Sequence, residues 1–339
     1  MKVKLEDVCE RGSSNLRQSD VEGKSGDYPI YGAAGHIGNV DFYHQDKPYI
    51  AVVKDGAGIG RTVLLPAYSS VIGTMQYLLP KRNILPEYLY YVVRYMHLEK
   101  YYSGATIPHI YFRDYKNEEF NLVDINEQAE IVGRLNIIER IITARQEELT
   151  SLDMLIKARF VELFGDEKNL MTMNEVCSII TDGTHQPPKF RDAGIPFIFV
   201  SNITGNKITY DAEKFIDQET YEELIKRTPI EIGDVLLSTV GSYGHPAVVT
   251  TDRKFLFQRH IAYLKPKKEL VDSDYLHGAI LSPDAQRQIE EGVKGIAQKT
   301  LNLSEIKKMR IPVPNMYRQK AFASFVTQID KSKFAIQQA

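Results

Sequence analysis

At 339 residues the chain is too long for one ordinary domain and comfortable for two, and 43% hydrophobic with 25% charged residues describes a soluble globular protein. No apolar run approaches 18 residues, and the start Met1-Lys2-Val3-Lys4-Leu5-Glu6 lacks the apolar stretch of a signal peptide, so no membrane span is expected and the cytoplasm is the expected compartment. A net charge of −2 neither supports nor excludes a polyanionic ligand, because phosphates are neutralised by one face and not by the chain average.

Residues 1–124 read as a first globular unit. Tyr49-Ile50-Ala51-Val52-Val53 and Val63-Leu64-Leu65 have the composition of buried strands, with turn residues between them. Residues 86–95 read as a helix with Pro86 in its first turn, where a missing N–H costs nothing. Leu89, Val92, Val93 and Met96 fall at helical spacing, which points to core packing and not to base stacking.

Over 125–165 the pattern changes to one long proline-free helix. Ile131, Leu135, Ile138, Ile142, Arg145, Leu149, Leu152, Ile156, Arg159 and Leu163 step by 4, 3, 4, 3, an a/d seam about 48 Å long at 1.5 Å per residue. Arg145 and Arg159 interrupt the seam and are expected to pair with acidic groups across a helix interface. Gly165 ends the helix. A stripe so narrow requires a partner helix.

Residues 166–314 read as a second globular unit, with strands at Phe197-Ile198-Phe199-Val200, Val235-Leu236-Leu237 and Ala247-Val248-Val249 and one helix over 274–291. In 315–339, Phe322, Val326, Ile329, Lys333 and Ile336 repeat the 4, 3, 4, 3 step. The expected fold is therefore α+β: two similar mixed α/β units separated by long helices, which pair antiparallel as a coiled coil about an approximate two-fold axis. The last helix is the shorter, about 23 residues against about 38.

The chain repeats itself. Gly104-Ala105-Thr106-Ile107-Pro108-His109 leads to Glu127-Gln128-Ala129-Glu130-Ile131, and Gly295-Ile296-Ala297-Gln298-Lys299-Thr300 leads to Arg318-Gln319-Lys320-Ala321-Phe322. Gln128 and Gln319 stand 191 positions apart, as do Gly104 and Gly295. Cys9 and Cys177 occupy matching places, Asp7-Val8-Cys9 and Glu175-Val176-Cys177, and read as small buried residues in a reducing compartment, not as a disulfide. Two copies joined by a stiff spacer suit a ligand with two sites at a fixed separation, such as duplex DNA with a split recognition sequence.

Lys54-Asp55-Gly56-Ala57-Gly58-Ile59-Gly60-Arg61 invites a cofactor-loop reading, as in a methyltransferase that binds S-adenosylmethionine. Such a loop must follow a strand and open a helix, whereas Thr62-Val63-Leu64-Leu65 reads as a second strand. A glycine turn between strands is the plainer account, and Ser238-Thr239-Val240-Gly241-Ser242-Tyr243-Gly244-His245-Pro246 reads the same way in the other copy. Gln186-Pro187-Pro188-Lys189-Phe190 departs from the tetrapeptide of an amino-methyltransferase and reads as a turn. There is no phosphate-binding loop ending in Gly-Lys-Ser/Thr, and the eight histidines lack ligand spacing, so neither a catalytic nor a metal site is expected. Thr181-Asp182-Gly183-Thr184-His185 reads as an exposed turn rich in short donors and acceptors, able to offer side chains to base edges or simply to cap itself.

Taken together, these residues resemble the specificity (S) subunits of type I restriction-modification systems. The resemblance covers nearly the whole chain. Tyr28-Pro29-Ile30-Tyr31-Gly32-Ala33-Ala34-Gly35-His36-Ile37-Gly38, Thr181 to His185, the Gly104 to His109 loop and the helix ending Arg159-Phe160-Val161-Glu162-Leu163-Phe164-Gly165 carry it. It implies a non-catalytic DNA reader in which each globular unit is a target recognition domain for one half of a gapped duplex sequence. The paired helices would be a ruler and a dock for two modification (methyltransferase) subunits, which carry S-adenosylmethionine, and restriction subunits would add cleavage. No cofactor and no membrane partner is expected for this chain.

The candidates for DNA contact are Lys54, Arg61, Thr106 and His109 in the first unit. In the second they are Thr184, His185, Lys189, Ser242, Tyr243, Gln298 and Lys299. The candidate helix interface is Ile131, Leu135, Ile138, Ile142, Leu149, Leu152, Ile156 and Leu163 with Phe322, Val326, Ile329 and Ile336. An S-adenosylmethionine-dependent DNA methyltransferase and a protein-only scaffold are the alternatives.

Overall fold

A computed structural model describes residues 1–56, 58–104, 108–295 and 299–338. The chain divides into two compact units, Met1–Thr143 and Ala144–Ala339.

In the first unit, Tyr49–Val53 is the central strand and every residue of it is buried. The reason is a covering on both faces. Ile50 and Val52 pack with Leu78 against Leu89 and Val93 of the helix Pro86–Tyr95, while Tyr49, Ala51 and Val53 pack with Tyr77 and Val71 on the other side. A strand covered twice is apolar without alternation, which is how it reads in the sequence. Its antiparallel sheet has the order Cys9–Ser13, Met75–Pro80, Tyr49–Val53, Thr62–Leu65. A smaller sheet places Tyr28–Gly32 between Gly35–Val40 and, in parallel, Ser70–Val71.

The second unit builds the same frame from different residues. Its four-stranded sheet runs Cys177–Asp182, Ile261–Pro266, Val235–Ser238, Pro246–Val248, and its three-stranded sheet runs Phe215–Ile216, Ile195–Ile198, Leu256–Phe257. Central Val235–Ser238 is again wholly buried. In both units the first strand pairs with the strand that precedes the following long helix, Lys2–Lys4 with Glu119–Asn121 and Leu170–Thr172 with Arg310–Pro312. Cys9 and Cys177 are free and buried at equivalent points. The single helix expected over 274–291 is instead two, Ser273–Ile280 and Pro283–Gly292. Pro283 cannot donate to the preceding turn, and the Ser282 hydroxyl accepts from the Ala285 amide to start a new helix.

The long helix is continuous from Ile125 to Phe164. Its first turns belong to the first unit, where Val132 is buried and Ile131 packs against the same core. Its last turns belong to the second, where the helix Met316–Gln338 lies against it. Phe160 meets Phe322 with ring centroids 5.3 Å apart, Arg318 pairs with Glu167 at 2.8 Å, and Lys333 pairs with Asp153. As residue numbers rise along one helix they fall along the other, so the pairing is antiparallel.

The expected seam is kept in part: Ile156 and Leu163 pack with Phe322, Val326 and Ile329. Ile156 is buried and Leu149, Leu152 and Leu163 are half-buried, but the largest contacts come from Phe160 and Phe164, outside the a/d series. Ile156, Phe160 and Phe164 repeat every four residues and face the domain core together with Tyr275, so this end of the helix docks on its globular unit as well as on the partner helix. Ile138 and Ile142, expected in the interface, are each 51% exposed; among the described residues the contacts with the partner helix begin at Asp153, which pairs with Lys333. Arg145 and Arg159 pair along their own helix, with Glu148 and Glu162 at i+3, and not across an interface. Of the C-terminal candidates, Phe322 is buried and Val326, Ile329 and Ile336 are half-buried.

Candidate nucleic-acid interface

Most of the described sequence candidates lie at one end of each four-stranded sheet. In the first unit the turn Lys54 to Arg61 links two antiparallel strands. Gly56, Gly58 and Gly60 have φ of +83°, +82° and +80°, and a Cβ on Gly60 would stand 2.4 Å from the Glu99 amide nitrogen. Glycine is therefore required by the turn itself. The amide of Ile110 donates to the Lys54 carbonyl at 2.9 Å and that of Gly56 to the Pro108 carbonyl at 3.1 Å, which lays the 108–110 segment across the turn. His109 Nδ1 then lies 2.6 Å from Asp55 Oδ1, and Lys54 Nζ is 3.8 Å from the same carboxylate. Arg61 donates to the Ala33 carbonyl in the hairpin of the smaller sheet, at the mouth of a 240 Å³ cleft also lined by Tyr31 and Met75. Lys54 and His109 are thus brought together on Asp55, while Arg61 turns to the smaller sheet.

In the second unit the Thr181 to His185 turn is sewn to its neighbours through the backbone. The Gly183 amide donates to Ile261 and the Thr184 amide to Phe257, at 3.1 and 2.9 Å. A Cβ at Gly183 would come within 2.3 Å of the Phe257 carbonyl oxygen, so the turn can lie this close only with glycine there. Asp182 receives His185 Nε2 at 2.9 Å and Arg227 at 2.5 Å. On the adjacent turn, Tyr243 donates to Glu290 at 2.5 Å, and Lys299 donates to Glu290 at 3.1 Å while lying over the Tyr243 ring. The bonds from Tyr243 and Lys299 hold the Glu290 carboxyl below its ordinary range, and the Glu290 bond raises Lys299. Ser242 is exposed on this turn.

A cleft of 280 Å³ joins these segments, with Asp182, Thr239, Arg259, His260, Thr300 and Asn302 in its walls. The bridge between Val240 and Thr300 repeats the bridge between Asp55 and His109, so the loops that repeat in sequence cross the same sheet end in both units. Lys189 is exposed but stands apart. Phe190 beside it is anchored on Phe197 in the smaller sheet's core, and among the described residues no contact joins Lys189 to the cluster. Thr106 and Gln298 lie outside the described residues. Sequence reasoning missed Asp55, Arg227, Arg259, His260 and Glu290, all drawn in by long-range pairing that leaves no local signal. Among the described residues no group of three or more His, Cys, Asp or Glu could hold a metal ion, and no helix is long and apolar enough to cross a membrane.

Residues 1–151 and 166–339 both match the type I restriction modification DNA specificity domain. The chain belongs to this family. It is 25% identical over 201 residues to the EcoBI type I restriction enzyme specificity subunit of Escherichia coli, a match covering 59% of this chain and 41% of that protein. It is 20% identical over 314 residues to the MjaVIII specificity subunit of Methanocaldococcus jannaschii, covering 83% and 72% of the two. The chain thus spans less than half of the first relative's length. Its fold is similar to that of the type I restriction-modification S subunit from M. genitalium, with a TM-score of 0.56 at 15% identity over 100% of this chain and 91% of that one.

Proposed function

We propose that this chain is the sequence-reading, non-catalytic subunit of a type I restriction-modification complex, each unit reading one half of a gapped DNA target. The observation that carries the reading is the doubled loop cluster: one backbone frame, one bridge pattern and two different sets of polar side chains at the same sheet end. A frame used twice with different side chains suits two readers of unlike half-sites. Two modification subunits supply S-adenosylmethionine and the methyl transfer, restriction subunits supply cleavage, and the long helix serves as the ruler that sets the gap.

The methyltransferase alternative loses support at its own loop. A cofactor cradle opens a helix with free amides, whereas the Lys54 to Arg61 turn closes a hairpin and spends the amides of Gly56, Gly60 and Arg61 on Pro108, Val53 and Gly58. Selection of bound duplexes from a random pool, by the full chain with a methyltransferase subunit, tests the proposal. A two-part consensus with a fixed gap is expected; a single uninterrupted motif, or none, would defeat it.

A further inference from the structure

The turn Gln258-Arg259-His260 is held by four backbone hydrogen bonds. Arg259 donates to Thr184, Gln258 to Ile198, Ile261 to Gln258 and Thr239 to His260, at 3.0, 3.1, 3.1 and 2.9 Å. The first unit reproduces all four. Gly73 donates to Leu16, Ile72 to Tyr31, Met75 to Ile72 and Lys54 to Thr74, at 2.7, 2.9, 3.0 and 3.0 Å. The frames match bond for bond, so Arg259 in one unit stands where Gly73 stands in the other. The fold therefore does not need the arginine side chain.

That side chain also has no carboxylate partner among the described residues. The guanidiniums of Arg191, Arg227 and Arg287 are each spent on carboxylates. Arg259 is exposed, its Nε donates to His260 Nε2 at 3.3 Å, and among the described residues its terminal nitrogens meet no carboxylate. Burial and the neighbouring Arg259 hold the His260 imidazolium below its ordinary range, which keeps the ring the neutral acceptor that this bond requires. The bond orients the guanidinium at the wall of the 280 Å³ cleft beside Asp182 and Thr239, and among the described residues its two end nitrogens have no hydrogen-bond partner.

We propose that Arg259 is a specificity-determining residue, its end-on fork donating to O6 and N7 of a guanine in the half-site read by the second unit. This deepens the DNA-reading proposal and rests on it. A paired acceptor edge is what a planar fork recognises, and guanine offers one in the major groove. A phosphate clamp is the competing use of an arginine. Both units face the same backbone whatever the sequence, so a shared clamp would be present in both, whereas the matching position in the first unit is glycine. A residue present in only one copy belongs to what makes the half-sites differ.

The test is duplex selection by the full chain with its methyltransferase subunits, comparing wild type, R259G and R259K. R259G copies the first unit's own residue, so it should fold with a cooperative melting transition, lowered only by the added freedom of glycine in the unfolded chain and the lost bond to His260. R259K keeps the charge and loses the fork. The expected result is that one guanine position in one half-site becomes degenerate in both variants, the other half-site is unchanged, and affinity for the wild-type consensus falls roughly tenfold to hundredfold. An unchanged consensus in both variants overturns the role of Arg259 and leaves the DNA reading standing. A loss that is uniform over all sequences makes it a phosphate contact and also overturns it. No enrichment by wild type overturns the DNA reading, and this role with it.

Discussion

Gln128 and Gln319, one in each unit, make the same three hydrogen bonds. Oε1 of Gln128 accepts from the Leu85 amide at 2.9 Å, and Nε2 donates to the carbonyls of Asn83 and Val123 at 3.1 and 2.9 Å. Oε1 of Gln319 accepts from the Asp272 amide at 2.9 Å, and Nε2 donates to Leu270 and Pro314 at 2.9 and 2.8 Å. Both side chains are fully buried. Leu85 and Asp272 each cap the N-terminus of the helix that covers the main sheet, so one amide ties that helix to the start of the next. Replacing either glutamine by alanine leaves three mostly part-buried backbone groups without these partners, a cost of about 1–3 kcal/mol for each one that water cannot reach. Hydrogen exchange should show Q128A loosening the first unit alone and Q319A the second alone. Uniform loosening of both units by either variant would contradict this.

Gly183→Ala should disable one half of the reading without unfolding the protein. The added methyl group collides with the Phe257 and Gln258 carbonyls, so the Thr184 and His185 turn must lift from the sheet, an overpacking cost of about 1–3 kcal/mol. In duplex selection the second unit's half-site should lose its consensus while the first unit's persists. Retention of both halves would show that this turn does not read.

Phe322 is fully buried among Phe160, Phe164 and Tyr275, with ring centroids 5.3, 5.7 and 6.1 Å away. Phe322→Ala should destabilise the second unit by about 3–5 kcal/mol in denaturant unfolding. Gly278→Ala presses a methyl group to within 2.5 Å of the same ring and should also destabilise, by overpacking and not by a void. Ile138→Ala, at a position half-exposed on the long helix, should change stability by no more than about 0.5 kcal/mol.

Burial pushes the thiols of Cys9 and Cys177 up to about 12, from an ordinary 9.0. The unfolded chain ionises first, so this contribution to stability is complete below about pH 9 and is lost as pH rises toward 12. Urea midpoints for Cys177→Ala should therefore fall less steeply than wild type between about pH 8 and pH 11. Equal slopes would mean that the thiol is hydrated in the native state.

Much of the frame is legible in the sequence, for identifiable reasons. Tyr49–Val53 and Pro86–Tyr95 lie where composition and the Pro86 start place them, since a doubly covered strand and an N-terminal proline are local signals. The repeat is legible because Gln128 and Gln319 have no substitute: few side chains both donate twice and accept once from that position. The helix seam is legible at Ile156 and Leu163 but misses Phe160 and Phe164, because stepping by 4 and 3 marks one stripe whereas docking on a globular core also uses the residues beside it. At the candidate site, the glycine turns announce themselves through the glycines they require. Arg227 and Arg259 do not, because they reach Asp182 and Thr184 through pairing between segments far apart in the chain.

The turns at the sheet ends are fastened to their sheets by amides and carbonyls that recur in both units. The same backbone frame carries glycine at position 73 and arginine at position 259, so it stands with either residue while presenting a different surface. A protein made this way can diversify its preferences by point mutation, each half independently of the other, without passing through an unfolded intermediate in its evolutionary history.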